Sequence, residues 1–518
     1  MSYIYNGGVL QPIYNAAGTK ITGLQNPDGT TSAIPPISVT GTFSFGSVLT
    51  ATLLPGWSVT GYQWTRDGVD ISGATSSTYT LVSADIGKSI SVRVTGLAYT
   101  EQNGRLVAYT GPSLFRFATS FNKLASDSIS PVSGNLTLAG RYFRPIGSSH
   151  KKSLAVSLNN WEMFNAANVR NGLNVSILGV YIEANGITKQ LTWGGSTTPT
   201  LADGAIDLVS DPVYPSDFGL NRFSRNSSVW LKPHVYCPVG GRLPISEGTE
   251  SETVSRFWIG TAGSVSNLTG SGALVFSGTT SQTMEVPFLV IGEDEDIVAD
   301  ARCWYALGDS IVAQGGPSSY FHTACRGDNT NYIAGCAAAK VGGIYTMFIN
   351  NASFFIPFYK YANGTIDETN TNSVGSLSAA SLLAASRQVW AQAKANKSTH
   401  VFSRDMHVMR VPLLVKTTDS GGGTVSDSSW NAGGKVEVLN DSYVGEVGQP
   451  TGVTSYAANL MDSPNLMRRG AGTKGVADSD YYKWPSGRTG DGLHPNNVCA
   501  SGTTGLGANL RVYLLAAA

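Results

Sequence analysis

Charge is scarce in this chain. Only 14% of its 518 residues are Asp, Glu, Lys or Arg, and 35 basic residues balance 35 acidic ones. Such a composition carries no electrostatic footprint for nucleic acid or for an anionic membrane. Cysteine is scarcer still. The five cysteines (Cys237, Cys303, Cys325, Cys336 and Cys499) are scattered, odd in number and without a Cys-x-x-Cys pair, so spacing supports neither a zinc site nor a disulfide framework, and free buried thiols are expected. No apolar run has the length to span a bilayer. The first residues, "MSYIYNGGVLQPIYNAAGTK", lack the basic stretch followed by an apolar run that a secretory signal requires. There is no heptad run or internal repeat.

Glycine, by contrast, is abundant: 60 residues, accompanied by many Ser, Thr and Asn and frequent aromatics. That mixture suits short strands joined by tight turns. A chain of this length exceeds one ordinary core, so several domains are expected. Residues 1–35, rich in Gly, Asn, Thr and Pro, read as an arm or linker. Residues 36–97 contain "YQWTRDGVDISGATSSTYTLVSADIGKSISVRV", with Trp64 in an alternating strand and an Asp67-Gly68 turn, which predicts a small β-sandwich. Across 112–298 the same grammar continues, Asn185-Gly186 marking a hairpin, and a second, jelly-roll-like sandwich is expected. The acidic run "GEDED", Gly292 to Asp296, is read as an exposed boundary rather than a cation site.

After Asp300 the pattern changes. "RCWYALGDS" reads as a strand and turn, and "SLSAASLLAASRQVWAQAKANK", Ser376 to Lys397, as a helix leading into further apolar runs. Strand, helix and strand in succession predict a parallel sheet covered by helices, with functional loops at the carboxyl ends of its strands. Ser310 would stand at one of those ends. A serine hydroxyl needs a base, and the base needs an orienting carboxylate. Of six histidines, His150, His234, His322 and His400 have no carboxylate at close spacing, and His407 follows Asp405 by two residues. His494 lies three residues after Asp491 in the Gly-rich "TGDGLHPNN", where a turn can bring the carboxylate onto one ring nitrogen and leave the other facing outward.

"GDSI" after "WYAL", with "DGLHPN" near the C-terminus, resembles the SGNH hydrolases, also called GDSL-type esterases, over residues 299–518. The resemblance implies a three-layer α/β/α domain with Ser310 as nucleophile, His494 as general base and Asp491 as its partner, and no metal or organic cofactor. It also implies an oxyanion hole using the serine N–H, a glycine N–H from "YIAGCAAAKVGGIY" (Gly342 or Gly343, with Gly335 a further candidate) and an asparagine from a Gly-x-Asn-Asp block. The nearest match to that block, Gly364-Thr365-Ile366-Asp367, places isoleucine in the asparagine position, unless Asn363, Asn370 or another nearby asparagine serves. Residues 36–97 resemble Ig-like modules of bacteriophage virion and bacterial surface proteins, and lack the cysteine pair of antibody-type domains.

The fold expected is therefore multidomain: an Ig-like sandwich, a jelly-roll-like sandwich that could bind carbohydrate through Trp161, Trp193 or Trp230, and a C-terminal α/β hydrolase domain. The function expected is a serine esterase, an O-deacetylase of host surface polysaccharide on a phage tail fibre or spike. Contacts to other virion proteins through residues 1–35 and a homo-oligomeric, trimeric assembly belong to that expectation; nucleic acid and membrane insertion do not. Two alternatives accompany it: a decayed hydrolase domain serving as a receptor-binding or structural virion protein, favoured by Ile366, and an extracellular bacterial esterase.

Overall fold

The computed structural model separates into two units, residues 1–111 and 112–518. It describes 3–6, 9–12, 24–25, 31–32, 37–41, 46–53, 57–67, 69–85, 88, 90–95 and 98–99 of the first, and 115–131, 134–247, 256–260, 264–277, 281–282, 284–294, 303–313, 319–327, 331–396, 406–414, 416–418, 425, 427–457, 474–484, 486, 488–489, 491, 493–496, 499 and 505–516 of the second.

In the first unit, alternation buries Leu49 and Ala51 on Val48–Leu53, and Ile90 and Val92 on Ile90–Thr95. Two three-stranded antiparallel sheets result, one of Ile37–Thr40, Val48–Leu53 and Thr78–Thr80, the other of Gly61–Arg66, Val69–Asp70 and Ile90–Thr95. Trp64 fills their common core and donates its indole N–H to the Ser76 carbonyl at 2.9 Å. Asp67, at φ 47°, makes the expected turn into Val69–Asp70.

The second unit opens with antiparallel sheets. Ser176–Ala184, Ser228–Cys237 and Leu136–Pro145 are the middle strands of a six-stranded sheet. A four-stranded sheet is ordered Phe115–Phe117, Leu289–Asp294, Lys151–Leu158, Leu208–Val209. Asn185 and Gly186, both at positive φ, form the hairpin turn expected of them. Leu138, Ile182, Leu231 and Val235 of the larger sheet share a core with Leu154, Val156 and Val290 of the smaller.

The parallel sheet follows. Its strands, in chain order, are β1 (Asn122–Lys123), β2 (Cys303–Gly308), β3 (Ala334–Ala339), β4 (Gly364–Glu368), β5 (His407–Arg410) and β6 (Ser455–Tyr456), arranged β1-β3-β2-β4-β5-β6 with every pairing parallel. Among the described residues the helices are α1 (Ser310–Ala313), α2 (Tyr320–Arg326), α3 (Tyr345–Asn350), α4 (Ala352–Tyr359), α5 (Ala379–Ala395), α6 (Lys435–Gly445) and α7 (Leu506–Ala516). Alternate residues of β2 serve different cores. Cys303, Tyr305 and Leu307 pack with Phe355, Phe358, Val389 and Trp390 of α4 and α5; Trp304 and Ala306 pack with Phe321 of α2 and Leu510 of α7. Helix α5 is the Ala-rich segment read from sequence, and the Ser378 hydroxyl caps it by accepting the Ser381 N–H.

The four-stranded sheet is buried on both faces. Its second face, Phe117, Ala155, Leu289 and Ile291, shares a core with Tyr305, Phe358 and Tyr361. Polar bonds cross the same contact: Tyr361 Oη donates to Asp207 at 2.9 Å, and Ser120 Oγ to the Ile333 carbonyl at 2.6 Å. Packing is therefore continuous across the stretch read as a boundary. The acidic run there is not an exposed linker where it is described, because Glu293 and Asp294 close a strand and Asp294 is buried beside Lys151 and Arg116. All five cysteines are buried free thiols, and burial pushes Cys303 up to about 12.

Candidate functional site

Strand β2 ends at Gly308, and the chain turns directly into α1. A Cβ at Gly308 would lie 2.6 Å from Val312 Cγ2 and 2.9 Å from Glu368 Oε2, so only glycine lets strand and helix approach this closely. Asp309 makes the turn, its Oδ1 accepting the Ile311 N–H at 3.0 Å and its carbonyl the Ala313 N–H at 2.9 Å. Ser310 thereby opens α1 at the carboxyl end of the central strand and is 4% exposed.

His494 arrives from the far end of the chain. Its Nε2 stands 2.7 Å from Ser310 Oγ, and its Nδ1 stands 2.6 Å from Asp491 Oδ2. The loop that holds them is pinned on itself: Asp491 Oδ1 accepts the N–H groups of Leu493 and His494 at 2.9 and 2.8 Å, and Thr489 bridges to Pro495. Desolvation raises the Asp491 pKa, but hydrogen bonds from the His494 N–H, the His494 imidazole and the Leu493 N–H outweigh it and hold the carboxyl at about 2. An ionised carboxylate only accepts, so Nδ1 carries the imidazole proton and Nε2 is left with its lone pair facing the serine hydroxyl. Ser310, His494 and Asp491 thus form one hydrogen-bonded relay, an arrangement that can take a proton from Ser310 Oγ.

The loops after β3 and β4 flank this centre, since Gly308 is in register with Ala339 on one side and Glu368 on the other. Gly342 sits at φ 71° in the turn after β3. Gly343 is ruled out as an anion donor, because its N–H is spent on the Lys340 carbonyl at 2.8 Å. The candidate Gly335 lies inside β3.

The asparagine block also needs correction. Ile366 is a core residue in mid-strand, paired with Ala306, so Gly364-Thr365-Ile366-Asp367 is strand and not a loop. Asn363 lies at the opposite end of the sheet, its Oδ1 accepting the Cys303 N–H at 2.8 Å. Asn370, at φ 93°, donates to Leu382, Ser386 and Tyr443 and so turns toward α5 and α6. Asn372 is the exposed one, with Nδ2 donating to the Gly343 carbonyl at 3.1 Å. One Nδ2 hydrogen remains for a ligand. The signal for it was present in "NTNS": an asparagine takes the positive-φ position where glycine is usual, and the exposed asparagine follows two residues later.

The remaining candidates lie elsewhere. His407 begins β5 in register with Gly364, at the end of the sheet away from Ser310. His322 is buried, with Nδ1 3.1 Å from Ser319 Oγ, and burial first, then nearby cations, hold its pKa well below the usual histidine value. Trp161 is wholly buried against Phe354 and Phe355 of α4 and so cannot stack on a sugar. Trp193 and Trp230 are partly buried, Trp230 lying under the Arg141 guanidinium at 3.5 Å.

No family model and no curated protein matches the chain. Among solved structures it is similar to TesA, with 13% identity, coverage of 41% of this chain and 98% of that one, and a TM-score of 0.29. It is also similar to a GDSL-like lipase from Bacteroides ovatus (11% identity, 73% of this chain, 82% of that one, TM-score 0.24). A peptidoglycan O-acetylesterase matches with 9% identity, 81% of each chain and a TM-score of 0.28.

Proposed function

We propose that residues 299–518 are a serine ester hydrolase of the SGNH type. The observation that carries this reading is the hydrogen-bonded chain Ser310–His494–Asp491, assembled from segments 184 residues apart at the carboxyl end of a parallel sheet. Ser310 Oγ attacks the acyl carbonyl while its proton passes to His494 Nε2, and Asp491 stabilises the imidazolium that forms. The Ser310 N–H, the Asn372 amide and the Gly342 N–H are the donors for the oxyanion. The imidazolium then protonates the departing alcohol, and a water molecule activated by the same base releases the acid and restores the serine.

The finer reading is O-deacetylation of a surface polysaccharide by a virion appendage, with residues 1–35 as attachment arm, residues 36–97 as an Ig-like module and a homotrimeric assembly. The modular order of the sequence supports it. The decayed-site alternative rested on Ile366, which the fold removes from the site.

The first test is hydrolysis of p-nitrophenyl acetate, then acetate release from O-acetylated polysaccharide. Turnover on the polysaccharide supports the finer reading; failure on both substrates would overturn the esterase. In the active enzyme, Asn372→Ala is expected to lower kcat by about 10²–10³ with little change in KM, because the donor acts on charge that exists only in the transition state. Asp491→Asn, which can no longer hold the Nδ1–H tautomer, is expected to lower kcat by about 10⁴. Both are read by steady-state kinetics. Since Asp491 stays ionised down to about pH 2, activity lost on acidification above that pH is not lost through protonation of Asp491.

A further inference from the structure

Behind Ser310 lies a second acidic group that the relay does not use. Glu368, the last residue of β4, is wholly buried and touches both halves of the site. Its Oε2 accepts the Asp309 N–H at 3.3 Å, on the nucleophile turn, and its Oε1 accepts the Thr371 hydroxyl at 3.3 Å, one residue before Asn372. The Glu368 side chain therefore spans the gap between the serine and its candidate oxyanion donor.

The carboxyl groups of Asp309 and Glu368 face each other in this space. Asp309 is also buried, and its Oδ2 completes no hydrogen bond. The groups around the pair are Asp367 on β4, Arg410 on β5, the unpartnered Tyr320 hydroxyl on α2 and His494 from its loop. Arg410 is already committed: it pairs with Asp367 at 3.0 Å and donates to the carbonyls of Asp367 and Thr369 at 2.7 Å each. Among the described residues no ion pair or hydrogen bond joins either facing carboxyl to a cation, Arg410 acting on Glu368 only from a distance, and two like charges so placed in a buried site do not both ionise. A second full negative charge would also oppose the oxyanion forming beside it.

We propose that Glu368 is a positioning residue that clamps the Ser310 turn to the Asn372 loop, and that the site stays assembled while the Asp309–Glu368 pair retains one shared proton. The shifts agree with this arrangement. Burial raises Asp309 to about 6, and burial followed by the Asp309 charge raises Glu368 well above the usual carboxylate range. Both folded values lie above the unfolded ones, so the pair favours the folded state at low pH; that contribution is full below the unfolded carboxylate values at about pH 4 and is lost as pH rises from there through the folded values.

The proposal rests on the esterase reading, and two independent measurements keep the two apart. The first is the pH profile of kcat with p-nitrophenyl acetate for wild type, Glu368→Gln and Glu368→Ala. Wild type is expected to lose activity on the alkaline side. Glu368→Gln, which still spans the gap but cannot ionise, is expected to stay within about tenfold of wild type near neutrality and to lack the alkaline fall. Glu368→Ala is expected to lose about a hundredfold in kcat with KM nearly unchanged. An alkaline limb that persists in Glu368→Gln overturns the shared proton, and wild-type kcat in Glu368→Ala overturns the clamp.

The second is deuterium uptake by the peptides containing Asp309 and Thr371–Asn372. Faster exchange of both in Glu368→Ala, reversed in Glu368→Gln, is expected; unchanged exchange overturns the clamp. If wild type hydrolyses no ester, the esterase reading falls, and the exchange measurement with the pH dependence of Tm still decides the proposal. A Tm that declines from about pH 4 upward, through the folded values of the pair, in wild type and less so in Glu368→Gln is its expected signature.

Discussion

Ser310→Ala is expected to reduce ester hydrolysis to the background rate, a loss of about 10⁶ in kcat on the scale of other serine hydrolases. The change removes the atom that, among the described residues, is placed to form a covalent acyl intermediate, while leaving the Ser310 N–H and the surrounding fold intact. Ser310 is buried at the head of a four-residue helix whose start is fixed by Asp309 Oδ1 and the Asp309 carbonyl, not by the serine side chain. The variant forfeits the hydrogen bond to His494, worth about 1 kcal/mol. Tm should therefore move by only a few degrees while turnover collapses. A variant that keeps even a hundredth of wild-type activity would show that the observed hydrolysis occurs elsewhere on the protein.

The relay was legible in the sequence because each half of it is local. Gly308-Asp309-Ser310 is a strand-to-helix turn written in three adjacent residues, and Asp491-x-x-His494 is a loop whose own N–H groups orient its carboxylate. The hairpin at Asn185-Gly186 and the capped helix Ala379–Ala395 were legible for the same reason: turn chemistry and helix propensity are properties of short windows.

What the sequence concealed depends on distant partners. Strand β1 has two residues, too few for any periodicity, and exists because Asn122 and Lys123 pair with Cys336 and Ala337. Asp294 looked like a solvated boundary charge until the fold set Lys151 and Arg116 beside it. Trp161 sits among the strands of a sandwich, yet α4, almost two hundred residues later, covers it. The asparagine error has the same origin. Gly364 resembles a loop glycine, but it is in register with Trp304 inside the sheet, and the loop begins only after Glu368.

His494→Ala is expected to match the serine variant in severity, about 10⁶ in kcat, because a serine without its base is nearly as inert as no serine at all. The double variant Ser310→Ala/His494→Ala should then be no slower than either single one. Independent contributions would multiply; members of one relay do not, since removing either breaks the same proton transfer. His494 is about a quarter exposed, and the loop bonds that Asp491 makes to the Leu493 and His494 N–H groups survive truncation of the ring, so folding should be preserved. The pH profile adds a check that a folding defect would not reproduce. The acid limb of kcat/KM, which Asp491 does not set because it remains ionised down to about pH 2, should vanish from whatever residual activity the histidine variant retains. A residual rate that keeps the wild-type acid limb would move the general base to another group, even with the 2.7 Å contact between His494 and Ser310 in place.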